Sequence, residues 1–357
     1  MKLFQQTQFA LTTTFLLVMS SNGAVLLDDD FDDGDRTDTN LPEESAWYAN
    51  NAAGSPTLSI VPGALTGNVR MFETNISSRL WIAHFAPAGM PVDLAEGEKL
   101  TISTTFTLNN VGTSASRGIR IGLFNFSEEG AMQVTADGFS TGAGAGAPGA
   151  FVSGYMMGAQ IAQTLAASPL QISKRTDTNN INLLGAAAVY TTLSSGGGEA
   201  EAAGFVNGQP YTLEFTAAHG DGWVEITTKF SDTNGWSISH SAIDSTNPYF
   251  RFDGFALRPN SVADTADSFV FTRFKAVVEP FAFGLRITSI QPSPEGMTLT
   301  WDAIPSVTYQ VEASDTLGND AFWAPLNSVT AMGTSASYTD VDSGFSARRF
   351  YRLLQAP

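Results

Sequence analysis

Along most of the chain, apolar side chains recur at every second position rather than every third or fourth. In KLTISTTFTL, Leu100, Ile102, Phe106 and Leu108 fall on one face, and in RGIRIGLFN, Ile119, Ile121 and Leu123 do the same. Tyr211, Leu213 and Phe215 repeat the pattern, and Val224, Ile226, Thr228 and Phe230 continue it on the next run. Successive side chains of an extended backbone point to opposite sides, so each run predicts a strand with one buried face. His219-Gly220-Asp221-Gly222, between the last two runs, predicts a hairpin turn.

Beyond the N-terminal segment no stretch has the period of a helix with one apolar side. Residues 159–167 (AQIAQTLAA) have helix-forming composition, but they are few and lie between Gly158 and Pro169, so a helical turn and a strand stay equally open. Two stretches, 138–149 (GFSTGAGAGAPG) and 194–204 (SSGGGEAEAAG), offer almost no side chains to bury and predict mobile surface loops. The run 267–278 (DSFVFTRFKAVV) ends at Glu279-Pro280, after which a separate alternation begins with Met297, Leu299 and Trp301, then Val307, Tyr309 and Val311. Many short strands with turn signals between them predict an all-β chain: a jelly-roll sandwich over residues 25–279, then a small sandwich of immunoglobulin or fibronectin III-like size over 285–357.

The first residues follow another order. Lys2 precedes an apolar run from Phe9 to Met19, and Ser20, Ser21, Asn22, Gly23 and Ala24 come next. That is the arrangement of a secretory signal peptide, expected to cover residues 1–24 with removal near Gly23 or Ala24. The apolar run falls short of the roughly 20 residues that span a bilayer, and no later run reaches that length, so membrane insertion of the mature chain is not expected. The expected location is secreted or at the cell surface.

Composition sharpens this picture. The 357 residues include no Cys, which removes disulfides, thiolate metal sites and Cys nucleophiles together. An exported chain without disulfides must be held by a large apolar core, and this length is sufficient for one. The net charge of −17 repels nucleic acid and anionic membranes and favours neutral or cationic partners.

Several segments are familiar in kind. VLLDDDFDDGDRTDTNLPEESAWY near the start, with SRLWIAHFAPAG, RGIRIGLFN and FDGFALRP further on, resembles exported bacterial proteins with a concanavalin A-like jelly-roll domain, common in planctomycetes and verrucomicrobia. The resemblance covers roughly residues 25 to 278 and lies in strand patterns rather than catalytic signatures. The tail is similar to a C-terminal module of the same bacteria through Leu299-Thr300-Trp301, Tyr309 to Ser314, Trp323, Thr339-Asp340 and Arg348 to Leu353. Relatives of the concanavalin A-like fold include lectins, laminin G-type adhesion domains, glycoside hydrolases and alginate-type lyases, so the fold leaves binder and enzyme both open.

The signatures of the enzymes do not occur. A laminarinase-like site needs two Glu flanking an Asp on one strand, because alternate residues project into one cleft. Glu43-Glu44, Glu128-Glu129 and the pair Glu199 and Glu201 lack that spacing and sit in turn-rich segments. An alginate-lyase site needs Arg-x-Glu-x-Arg, Gln-x-His and Tyr-x-Lys strands, and the nearest fragments, RGIRIG and QISKR, lack the His and Tyr. His84, His219 and His240 stand far apart, expected on strand surfaces or turns, with no metal-ligand spacing. There is no G-x-S-x-G elbow and no Walker or dinucleotide glycine pattern. Ser231 to Trp236 (SDTNGW) is read as a β-turn.

Two features remain as candidates. Asp28, Asp30 and Asp32 share one face in period-two terms and are hard oxygen ligands for a structural Ca²⁺, the other reading being an acidic, solvated strand and turn; no other cofactor is expected. Aromatic rings stack on pyranose faces while nearby polar groups hold the hydroxyls, which makes Trp47, Tyr48, Trp81, Tyr155 and Trp223 candidate sugar platforms and Arg120 a candidate donor; Arg79, Arg117, Arg175 and Trp236 are further candidates. Trp223 is in phase with the polar Glu225, Thr227 and Lys229 and is expected to be exposed. Trp301 and Trp323 are expected in the core of the small module. The leading functional expectation is an exported, non-catalytic protein that binds a glycan or cell-surface polymer; a polysaccharide lyase or glycoside hydrolase, and an envelope component without a small ligand, are the alternatives.

Overall fold

The structure, a computed structural model, describes residues 23–50, 57–71, 74–75, 79–139, 148–185, 187–220, 222–281, 287–303, 307–318, 322–333, 335–343 and 348–355. The expected signal segment, residues 1–22, and the glycine-rich stretch 140–147 lie outside them. The described chain is all-β apart from one turn of 3-10 helix at Ala187–Val189, and no helix is long and apolar enough to cross a membrane.

Two large antiparallel sheets face one another as a jelly-roll sandwich. The first has the order Ser237–Asp244, Trp223–Asp232, Tyr211–Gly220, Glu98–Asn109, Ser268–Pro280, Ala64–Asn68 and Leu58–Val61, with Ala24–Asp29 also on Ser268–Pro280. The second has the order Tyr190–Gly196, Leu170–Arg175, Ser153–Ala159, Ile119–Asn125, Gly254–Pro259, Trp81–His84 and Trp47–Ala49. The long strand Ser268–Pro280 serves two neighbours along one edge. Its first residues pair with Ala64–Asn68 and its later ones with Ala24–Asp29, the register shifting between Phe271 and Arg273. A bulge re-aims a strand in this way, letting one edge meet two partners.

The alternation forecasts the core accurately. Leu100, Ile102, Phe106 and Leu108 are buried from the first sheet, and Ile119, Ile121 and Leu123 face them from the second. At roughly 25 cal/mol per Å² of apolar surface removed from water, a two-sheet interior of this extent can supply the main stabilisation of a chain without disulfides. Gly220 pairs directly with Trp223, with φ of +71° at Gly222, so the two strands form the predicted hairpin.

Of two local readings, one left open is now settled and one needs correction. Residues 159–167 hold no helix: Ala159 ends one strand, Thr164–Leu165 form another, and the buried Gln160 side chain pins the turn between by bonding Ser114 O, Thr164 O and the Ala166 N–H. The stretch 194–204 is not a loop throughout. Its start belongs to Tyr190–Gly196, which pairs with Leu170–Arg175, and Ala202–Ala203 pair with Thr164–Leu165. Backbone pairing needs no side chains, and at Gly196 a Cβ would lie 2.8 Å from the His240 ring, so the absence of a side chain allows the two sheets to approach here.

The second sheet is buried on both sides over part of its area. Leu80, Ile82, Phe124, Val152, Met156 and Leu183 belong to a second apolar cluster on its outer face. After the sandwich come two three-stranded sheets, Ile287–Ser293, Gly296–Asp302 and Ser335–Asp340, and Ala324–Thr330, Thr308–Ser314 and Phe350–Gln355. Their cluster of Leu299, Trp301, Tyr309, Val311 and neighbours shares no residue with the other two. Trp323 is not part of that buried set; its ring lies against the Arg352 guanidinium, 4.6 Å from centroid to Cζ.

Candidate functional site: a glycine-floored arginine groove

The outer face of the second sheet carries a transverse row of polar positions. Antiparallel register aligns Arg120 with Gly158 on one side and with Arg258 on the other, Gly158 with Gln171, and Gln171 with Ser195. Because Ile119 and Ile121 point inward, Arg120 must point outward, and the same alternation turns Gln171 and Arg258 to that face. With neighbouring strands about 4.8 Å apart, these five positions form a line across the sheet, with a gap at Gly158.

One end of this face is open. A groove of about 500 Å³ is lined by Ser116, Arg117, Arg120, Gly158, Ser168 and Gln171, with Met156, Ala166 and Ala167 as an apolar wall. Gly158 leaves the floor empty: an added Cβ would meet only the Arg117 stem, at 3.6 and 3.7 Å.

The two arginines are held by backbone carbonyls. Arg117 donates through Nε and Nη2 to Ser168 O at 3.1 and 2.8 Å, which leaves Nη1 without a protein partner among the described residues. Arg120 donates through Nη1 to Leu184 O at 2.8 Å and to Gly185 O, which leaves Nε and Nη2 for the groove. Among the described residues neither makes an ion pair. Burial lowers the Arg258 pKa, and the charge of Arg120 adds to the effect. Burial likewise pushes Tyr190 up to about 12, opposed by Arg175, Arg120 and Arg258 around it.

Arg175 has another task. It is fully buried and donates to Gly149 O at 2.7 Å, Leu183 O at 3.1 Å and Asn180 O, fastening the segments that cover the second apolar cluster. Arg79 is buried as well.

Of the aromatic candidates, three are core residues. Trp47 stacks on Phe271 at 5.6 Å and meets Phe274 edge-on at 5.0 Å; Trp81 packs against Phe269; Tyr155 is buried with its hydroxyl on Asp244. None has an exposed ring face, so none can stack on a sugar. Their inward alternation outweighs their polar edges: the Trp81 indole N–H donates to Thr57 Oγ1 at 3.2 Å and the Tyr155 hydroxyl to Asp244, while the Trp47 indole nitrogen is buried without a partner among the described residues. Tyr48 is half-buried beside a separate cleft of about 400 Å³ with His84 and Gln133. Trp223 is half-buried over Gly220 on the first sheet, and Trp236 packs on Phe205 with its N–H bonded to Ala203 O. Of the candidates named from sequence, Arg117 and Arg120 lie in the groove. Gly158, Gln171 and Arg258 went unnoticed from sequence, since only strand register brings them to Arg120.

The acidic run does not converge. Strand pairing stops at Asp29, and Phe31, with φ of +61°, turns the chain and tucks its ring into the core, which breaks the period-two phase between Asp30 and Asp32. Asp28 pairs with Arg273 at 2.6 Å and Lys275 at 3.1 Å, and the Arg273 hydrogen bond holds its pKa low. Asp30 accepts from the Asp32 N–H, and Asp29 from Phe31 and Ser45. Among the described residues no group of three or more His, Asp or Glu is placed to hold a metal ion.

Contrary to expectation, His84 is buried rather than on a strand surface. Its Nε2 accepts from the Val134 N–H at 3.2 Å, and burial pulls its pKa down to about 3. His219 stacks on Phe250, and His240 bonds Ser194.

No family model matches the chain, and no curated protein matches it. Solved structures similar to it include lectin I-B4 from Griffonia simplicifolia in its metal-free form, with 11% identity over 66% of this chain and 93% of that one at a TM-score of 0.35. Lectin II from Ulex europaeus is similar at 9% identity over 69% and 97%, with a TM-score of 0.37. The carbohydrate recognition domain of Emp47p is similar at 12% identity over 73% and 99%, with a TM-score of 0.40. The strand order itself defines the architecture as an all-β jelly-roll sandwich, and these neighbours are of the concanavalin A-like kind.

Proposed function

We propose that this is an exported glycan-binding protein that holds a saccharide in the groove between Arg117, Arg120 and Gln171 without cleaving it. One observation carries the reading: planar guanidinium and amide groups with unspent donors line an open groove of about 500 Å³ whose floor is a glycine. That volume suits a few sugar units, and fixed planar donors are what ring hydroxyls require. The lining includes no carboxylate, His or Tyr, the groups that acid–base cleavage of a glycosidic bond uses. In this reading residues 25–279 form the binding domain and 285–357 a fibronectin III-like spacer.

The test is a glycan-array and polysaccharide-retention assay with the full chain, alongside an assay for new reducing ends. Retention without cleavage is the expected result. Gly158→Trp should abolish retention, with thermal melts reporting that the variant folds; its Cβ meets only the Arg117 stem, at 3.6 and 3.7 Å. Retention unaffected by Gly158→Trp, or retention of no glycan, would refute the groove as the site.

A further inference from the structure

The charge distribution around the groove narrows the ligand further. The chain carries 35 Asp and Glu against 18 Lys and Arg, so a basic side chain here has acids in excess to pair with. Arg36, Arg70, Arg251, Arg273, Arg349 and Arg352 each have such a carboxylate. Arg117 and Arg120 have none among the described residues and are fixed instead by carbonyl oxygens, which orient a guanidinium without neutralising it.

Arg258 stands directly opposite Arg120 in the ladder. Like charges opposite one another on paired strands are destabilising, and partial burial strengthens the repulsion. Two guanidinium groups, those of Arg117 and Arg120, thus line the groove with no carboxylate among the lining residues, and Arg258 stands beside Arg120 outside that lining. Such an arrangement lowers the free energy of an anion, and the planar fork of Arg matches a carboxylate in two parallel hydrogen bonds.

The rest of the groove specifies what carries the carboxylate. A free inorganic anion would occupy a small part of about 500 Å³ and would leave Gln171, Ser168 and the Met156 wall uncovered. A sugar acid fills that space, with its hydroxyls toward Gln171 and its apolar ring face toward Met156 and Ala167.

Resting on the glycan-binding reading above, we propose that the ligand is a uronate-type acidic saccharide whose carboxylate is bound between Arg117 and Arg120. The field of the whole chain opposes long polyanions, so selectivity belongs to the local contact and shows best with short oligomers.

The experiment uses the full chain and two ligands of one shape: an oligogalacturonate of three units and its fully methyl-esterified form, each titrated calorimetrically. The acid should bind about tenfold or more tightly than the ester, the factor expected for one charge-assisted hydrogen bond. Gly158→Glu places a carboxylate beside Arg117 and should weaken the acid about tenfold more than the isosteric, neutral Gly158→Gln, which fills the same part of the floor without the charge. Circular dichroism melts of both variants report folding. Equal binding of acid and ester, or equal effects of Glu and Gln at 158, would overturn the acidic-saccharide assignment and leave glycan binding standing. Inorganic sulfate competing at the same concentration as the oligomer would also overturn it, by showing a site for small anions. Binding of neither oligomer, with no neutral glycan retained, would remove both readings.

Discussion

Removing Asp244 should destabilise the sandwich strongly, and removing Lys174 with it should restore most of the loss. Asp244 ends a strand of the first sheet and Lys174 lies in a strand of the second, so their 2.8 Å ion pair joins the sheets where their edges meet. The side chains are only 3% and 10% exposed. Lys174 Nζ also donates to Thr246 O at 2.5 Å and Asn247 O at 2.7 Å, and it lies 4.8 Å from the Tyr249 ring centroid. Asp244 accepts from Tyr155 Oη at 2.8 Å and from the Thr246 N–H at 3.0 Å.

Asp244→Leu leaves an ammonium group buried with carbonyls alone and strips the Tyr155 hydroxyl of its acceptor, a loss of about 3–5 kcal/mol. Lys174→Met leaves Asp244 with two hydrogen-bond donors, so a loss nearer about 2 kcal/mol is expected. In the double variant no buried charge remains, and apolar replacements of a buried pair are often close to neutral. The coupling energy should therefore be about 2 kcal/mol or more. Urea unfolding followed by tryptophan fluorescence measures it, since Trp47 and Trp81 both report on this core. The melting temperature of Asp244→Leu should fall by roughly 6–20 °C. Additive single losses in the double variant would refute the argument, because they would mean the two charges do not depend on each other.

Three further outcomes follow from the packing. Gly67→Ala places a Cβ 2.5 Å from the buried Trp81 ring, so it should lower stability by about 1–3 kcal/mol in the same urea assay. Thr57→Val should cost about 1–3 kcal/mol by leaving the Trp81 indole N–H unpaired, and Thr57→Ser much less. His84 stays neutral in the folded chain to about pH 3, while an unfolded His titrates near ~6.5, so acidification protonates only the unfolded state and stability falls across that window. At pH 4 the loss from this group is about 3 kcal/mol, and His84→Gln should remove it from the pH dependence of the urea midpoint. Asp29, pushed up to about 6 by burial, acts in the opposite sense and gains stability as pH falls below that value, which is why the variant must be compared with its parent.

The fold was readable because alternation is a local signal. Leu100 to Leu108 and Ile119 to Leu123 announce their buried faces within a few residues, and no partner strand need be known. The failures have equally local causes. The aspartate run looks alternating until Phe31 adopts a left-handed backbone and breaks the phase. The stretch 194–204 looks structureless because pattern reading weighs side chains, whereas pairing there uses only backbone groups. Trp47, Trp81 and Tyr155 show the limit of residue type as a guide to function: large aromatics are valued for stacking on ligands and for filling cores alike, and phase with Ala49 or Met157 places these three in the core.

The groove was illegible for a different reason, which bears on how a site of this kind works. Arg120 is followed by Gly158 and Gln171 far along the chain and by Arg258 farther still, and no spacing rule connects them. They meet because four strands pair in one register, and a slip of a single residue would turn each side chain to the opposite face. The core of the second sheet enforces that register: Ile119 and Ile121, Met157, Ile172 and Leu257 must all point inward together. The same hydrophobic alternation that encloses the interior thus aligns the arginines, the glycine and the glutamine outside it. A substitution that shifted the strand Ser153–Ala159 by one place would expose Met157 and remove Gly158 from the floor in the same step, so loss of the core and loss of the groove are one event.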